Sequence, residues 1–309
     1  MESIFVVVNI VLVSALSPLS IGIVRKIKAY FQNRAGASIL QPYRDIAKLF
    51  QKDEVISRDA SWIFMTAPYI VFGTTLAIAS ALPILSPLLT FPATGDVIVI
   101  AYLLAAGTFF LALAGVDVGG TFGGFGASRE MMIAALTEGG LILSLVAAAF
   151  IAHTTQIAGI AVCVSSFGDT ELVPLLIAAG AFSISLLAEN ARYPVDNPAT
   201  HLELTMVHEA TILEYSGKRL ALMEWASANK LFIFLVILVN VLLPWGIAAS
   251  NEITSLISNT GIFVLKALIA LSAIAFTESI MAKFRIFRVP DLLFTSFILG
   301  AIAILLIAI

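Results

Sequence analysis

The chain has 309 residues, of which 60% are hydrophobic and only 12% charged, with a formal net charge of −3. An ordinary soluble domain carries about 25% charged residues, so this composition belongs to the membrane class. The one cysteine, Cys163, excludes an intrachain disulfide, a cysteine-rich structural zinc site and an iron–sulfur cluster, which takes about four ligands.

A helix crosses the hydrocarbon core with roughly 20 apolar residues. Eight stretches reach that length, at about 4–24, 63–85, 97–116, 131–153, 172–190, 229–249, 257–281 and 289–309. Each must be helical, because lipid offers no partner to backbone polar groups. The predicted fold is therefore all-α: a single polytopic membrane domain over 1–309 with eight spans. The opening MESIFVVVNIVLV has no basic region and no cleavage-like site, and reads as the first span rather than a removed signal.

Lysines and arginines set the orientation. Arg25, Lys26, Lys28, Arg34, Arg44, Lys48, Lys52 and Arg58 follow the first span, and Arg129 follows the third. Arg192, Lys218, Arg219 and Lys230 follow the fifth, and Lys283, Arg285 and Arg288 the seventh, which makes 16 of the 17 basic residues. The loops 86–96, 154–171 and 250–256 hold none, but do hold Asp96, Asp169, Glu171 and Glu252. This bias predicts odd-numbered connections in the cytoplasm, both termini outside, and a multi-pass protein of the cell membrane.

Two of these connections, 25–62 and 191–228, are long cytoplasmic interface loops. In the first, Ile39, Tyr43, Ile46, Leu49 and Phe50 fall near helical spacing with Arg44, Asp45 and Lys48 between them. That pattern predicts a helix lying at the membrane surface or packed on a soluble partner. The segment DVGGTFGGFGASRE, 117–130, has five glycines in fourteen residues and predicts an irregular turn, not a helix. In the second long loop, Pro194 and Pro198 end the fifth span, and Asn197 or Thr200 can cap a new acidic helix from about Ala199. His201 and His208 lie on one face of it; their i, i+7 spacing is not that of a chelating pair, so no metal is expected. They are expected to bond carboxylates or a partner subunit.

Ionisable groups inside spans are costly and mark function. Glu138 lies in the fourth span, roughly 13 Å along the axis from Arg129. Glu189 ends the fifth span. Glu278 lies in the seventh, with Lys266 roughly 18 Å away in the same helix. A carboxyl group in a low-dielectric interior can hold and release a proton near neutral pH, and a neighbouring charge switches it. A row of such groups is a proton path. No nucleophile elbow, phosphate loop or dinucleotide fingerprint is present, so no catalytic residue is named, and nothing suggests nucleic acid.

Four stretches carry a family resemblance that covers almost the whole chain: NRAGASILQPYRDIAKLF (33–50), GASREMMIAALTEG (126–139), ENARYPVDNPATHLELTMVHEATILEYSG (189–217) and ESIMAKFRIFRVP (278–290). They resemble the respiratory-chain NADH dehydrogenase subunit 1 family, in its hydrogenase branch. The resemblance implies a non-redox membrane subunit that holds no cofactor and does not catalyse alone. It would anchor a peripheral arm bearing a nickel–iron site and iron–sulfur clusters: hydrogenase-like large and small subunits, an iron–sulfur protein, and antiporter-like membrane subunits beside them. Carried over onto matching positions, it implies a proton path through Glu138, Glu189, Asp196, Glu203 and Glu214, with Glu209 by an approximate match; Lys266 and Glu278 join it as charges inside a span. It implies a partner interface of Arg34, Gln41, Asp45, Lys48, Arg129 and Arg192, which His201 and His208 join from the helical pattern of the loop.

Pro194-Val195-Asp196-Asn197-Pro198 and the segment THLELTMVHE replace the pattern of the quinone-reducing members, and THLELTM is similar to the ferredoxin-linked hydrogenases. That favours electron transfer coupled to proton or sodium translocation in a hydrogenase-type complex over a quinone site. A stand-alone secondary transporter is the remaining alternative; the chain lacks an evident inverted repeat.

Overall fold

The computed structural model describes residues 2–84, 90–164, 169–197, 206–243 and 253–308. Among the described residues the elements are α1 (Glu2–Phe31), α2 (Gln41–Phe50), α3 (Trp62–Ala79), α4 (Val97–Asp117), α5 (Thr121–Ala152), α6 (Ile157–Val164), α7 (Asp169–Glu189), α8 (His208–Thr211), α9 (Gly217–Ile237), α10 (Ile253–Ile280) and α11 (Val289–Ala308). All but α2, α6 and α8 supply helices long and apolar enough to cross a membrane, eight in number as the hydropathy predicts. A π-helical turn, Leu238–Leu242, ends α9.

The sixth span sits at the centre: from Leu231 to Leu242 nearly every side chain of α9 and its π turn is buried. Helices α1, α2 and α3 pack on one flank of α9, and α10 packs on α1. On the other side α5, α7 and α11 form a tight trio, joined to α3 through α4. Apolar side chains gain little by leaving lipid, so such a trio is held by close packing of small residues. A Cβ on Gly140 would lie 2.3 Å from the Ser296 hydroxyl. Ser296 Oγ donates to the Ala181 carbonyl at 2.7 Å and lies 3.0 Å from Ser185 Oγ.

Three expectations are corrected here. The glycine-rich segment 117–130 is not an irregular turn, because α5 begins at Thr121. Its glycines serve packing: a Cβ on Gly123 would lie 2.2 Å from the Gly115 carbonyl oxygen, and one on Gly126 2.7 Å from the Ala210 side chain. The helix expected from Ala199 is, in its described part, only the four-residue α8, after which Tyr215 turns back to stack on Phe64 with ring centroids 4.0 Å apart. His201 and Glu203 lie outside the described residues. Finally, α9 begins at Gly217 and α1 continues to Phe31, so both long loops are shorter than 191–228 and 25–62 suggest. The helix expected in the first loop does form, as α2. Its Pro42 is buried and the Tyr43 hydroxyl donates to the Ala15 carbonyl, while Arg44 and Lys48 stay exposed.

Candidate functional site

Helix α9 carries a cation where its apolar run starts, and the end of α7 carries an anion at the same level. Lys230 Nζ lies 2.7 Å from Glu189 Oε2 and 3.4 Å from the Thr108 hydroxyl of α4. The pair faces a narrow cavity of about 40 Å³, with Thr75, Asn190 and His208 also in its lining. That space suits on the order of three water molecules. Asn190 donates through Nδ2 to the Leu186 carbonyl, but its Oδ1 is enclosed and has no hydrogen-bond partner among the described residues. A buried acceptor of this kind calls for water. Glu138, partly buried on α5, feels the charges of both Glu189 and Lys230.

His208 also lines the cavity, and its Nδ1 lies 3.5 Å from Glu130 Oε1 of α5. Burial works against a charged imidazole there, but the Glu130 hydrogen bond and charge outweigh it and push the His208 pKa up to about 9. Arg129 donates from Nη1 to the Met206 carbonyl at 3.1 Å and so fixes the approach to α8.

A second charged group brackets the loop after α7. Asp196 is 2% exposed; it pairs with Lys283 and accepts from the main-chain N–H of His208 at 3.3 Å. Glu278, 5% exposed at the end of α10, takes Arg192 Nη1 at 2.9 Å and Lys28 Nζ at 3.1 Å. Lys28 also lies 4.9 Å from the centroid of the Tyr193 ring, whose hydroxyl pKa is raised by burial and by Glu278 and Asp196. Each of these buried carboxylates is balanced by a cation, so neutralising one by a proton frees the cation it held. Exchangeable pairs in sequence can pass that change inward.

The proton-path candidates therefore separate. Glu189 lines the cavity and Glu138 feels its charge, Glu209 sits beside His208 where its charge is felt, and Asp196 and Glu278 form the loop bracket. Glu214 is exposed and reaches over Gly120 instead of into the cavity. Lys266 Nζ donates to the Val239 carbonyl at 2.6 Å and the Leu243 carbonyl at 3.2 Å, capping the π turn whose carbonyls lack helical partners. Among the interface candidates, Arg34 is exposed, and Gln41 and Lys48 gather on Asp45 at 3.0 Å and 3.7 Å on the outside of α2. Arg192 is buried against Glu278, and His208, partly exposed, faces Glu130. Sequence reasoning missed Glu130, Lys230, Lys28 and Lys283 as site residues. Lys230 had a readable signal, a cation leading directly into the apolar run 231–243.

A family model described as NADH dehydrogenase matches residues 3–309. Formate hydrogenlyase subunit 4 of Escherichia coli (strain K12) is 33% identical over 297 residues, covering 96% of this chain and 96% of that protein. Hydrogenase-4 component C of the same organism is 34% identical over 300 residues, 97% of this chain and 94% of that one. A chain in the structure of the membrane-bound sulfane sulfur reductase, an archaeal respiratory membrane complex, superimposes with a TM-score of 0.87 at 23% identity over 99% of both chains, and so shares the fold. With a match over nearly its full length and two such relatives, this chain belongs to the NADH dehydrogenase family.

Proposed function

We propose that this protein is the non-redox membrane subunit of a hydrogenase-type, ion-translocating oxidoreductase complex, anchoring the electron-transfer arm and coupling its turnover to proton or sodium movement. It lies in the cell membrane with both termini outside and the basic loops in the cytoplasm. Its partners are hydrogenase-like large and small subunits that hold the nickel–iron site and iron–sulfur clusters, an iron–sulfur protein, and antiporter-like membrane subunits. The observation that carries this reading is the Lys230–Glu189 pair on a small cavity in an otherwise mostly apolar lining, with Glu138 feeling its charges and a bracket of ion pairs at the loop. A charge change in an arm seated on that loop perturbs the bracket first and the buried pair next. The similarity to subunits of formate hydrogenlyase and hydrogenase-4 supports the same kind of complex.

Affinity purification of the tagged chain from its native membrane tests the assignment. It should recover iron–sulfur and antiporter-like subunits in fixed ratio, with hydrogen evolution from reduced methyl viologen. Recovery of the chain alone would point to a secondary transporter. Reduction of a quinone analogue without hydrogen evolution would assign a quinone-reducing complex instead.

A further inference from the structure

One cavity is lined both by His208, whose Nδ1 meets Glu130, and by the Lys230–Glu189 pair. Two features favour water in this space. It has room for on the order of three waters, and the orphaned Asn190 Oδ1 in its wall needs one. His208 holds Glu130 through Nδ1, which leaves Nε2 as the ring atom for such a water. Its position is set by the main-chain bond to Asp196, itself held by Lys283, so the imidazole stands between the loop bracket and the membrane interior.

Resting on the proposed function, we infer that His208 is the relay group at the mouth of the membrane path, exchanging protons with Glu189 through water in this cavity. In the inward step the imidazolium gives its Nε2 proton to a cavity water, which passes a proton to the Glu189 carboxylate. Glu189 becomes neutral and Lys230 is released from it. The imidazole that remains donates Nδ1–H to Glu130 and is recharged by a proton from the aqueous side of the loop. Every group with a charge around it suits this exchange: Glu130 and Glu209 favour the imidazolium, Lys230 opposes it, Arg129 is engaged with the Met206 carbonyl, and Asp117, the acid at the end of the adjoining α4, is engaged with Ser61. A pKa near 9 keeps the imidazolium charged at neutral pH.

The test uses the intact complex in inverted membrane vesicles, driven by reduced methyl viologen, with ion uptake and hydrogen evolution followed from pH 6 to 10. Wild-type uptake should fall along a basic limb near pH 9. His208→Gln should lower uptake per hydrogen by about tenfold or more and abolish the limb. Glu130→Gln, which keeps the histidine but removes its counter-charge, should move the limb to lower pH by about one unit. A role confined to holding α8 in place would move neither limb. Should Glu189→Gln uncouple the complex while His208→Gln leaves uptake and limb unchanged, this inference fails and the proposed function stands. If neither substitution affects uptake, the proposed function fails with it. Should His208→Gln not assemble, a wild-type limb in Glu130→Gln is enough to overturn the relay.

Discussion

Lys230 and Glu189 show why polar residues near the ends of membrane helices need more than a hydropathy plot. Counted along the chain, Lys230 reads as a loop cation that orients the protein; folded, it is the partner of a nearly buried carboxylate. Removing one member of such a pair strands the other in a poor solvent. Lys230→Met should destabilise the protein by about 3 kcal/mol, and adding Glu189→Gln should restore part of that loss. Thermal unfolding of the two single variants and the double variant in detergent checks this, and simple additivity would refute it. His208 offers a pH reading of the same kind. Its folded pKa of about 9 lies above the ordinary value of 6.5, so the stabilisation from the Glu130–His208 pair is complete below about pH 6.5 and is lost as pH rises through 9. The melting temperature of the wild type should therefore fall between pH 7 and 10 more steeply than that of His208→Gln. Glu130 itself was hidden in the sequence because it adjoins Arg129 and looks like half of an exposed ion pair. Its isolation from water follows only from α8 folding over it.

Helices were legible where apolar length alone decides them, and less so where glycine does. All eight spans follow from runs of roughly 20 residues. The segment 117–130 misled because glycine breaks helices in water, whereas in a membrane bundle it opens a face for a neighbouring backbone. The α4–α5 crossing depends on it, with a Gly123 Cβ only 2.2 Å from the Gly115 carbonyl oxygen. Gly123→Leu should force the two helices apart and cost about 1–3 kcal/mol or more, read as a lower melting temperature. Gly124, whose Cβ would meet nothing within 4 Å, should accept alanine without loss. The acidic loop was the harder case. Its helical periodicity is real in sequence, but Asp196, His208 and Tyr215 draw the described part into a turn held by long-range bonds. No local pattern reports such partners. The partners of Lys266 were hidden for a related reason: they are main-chain carbonyls freed by the π turn, which carry no sequence signature.

The whole molecule is a bundle whose polar groups concentrate at one end, where basic loops, α2 and the ion-pair bracket share a side. Orientation is argued from the lysines and arginines, and side-specific labelling tests it. A cysteine at exposed Arg34, in a Cys163→Ala background, should react with an impermeant maleimide only from the cytoplasm. A cysteine at exposed Ala93 should react only from outside, and the reverse pattern would invert the topology. The family was legible because its motifs lie in that polar end. What coupled those motifs was not, because ion pairs such as Arg192–Glu278 and Lys283–Asp196 join residues 86 and 87 positions apart. The role assigned to the buried pair is tested most directly by Glu189→Gln in the intact complex, with ions taken up per hydrogen evolved as the readout. Hydrogen evolution that continues with little or no uptake, or that stalls together with it, is the predicted result. An unchanged ratio at an unchanged rate would contradict it.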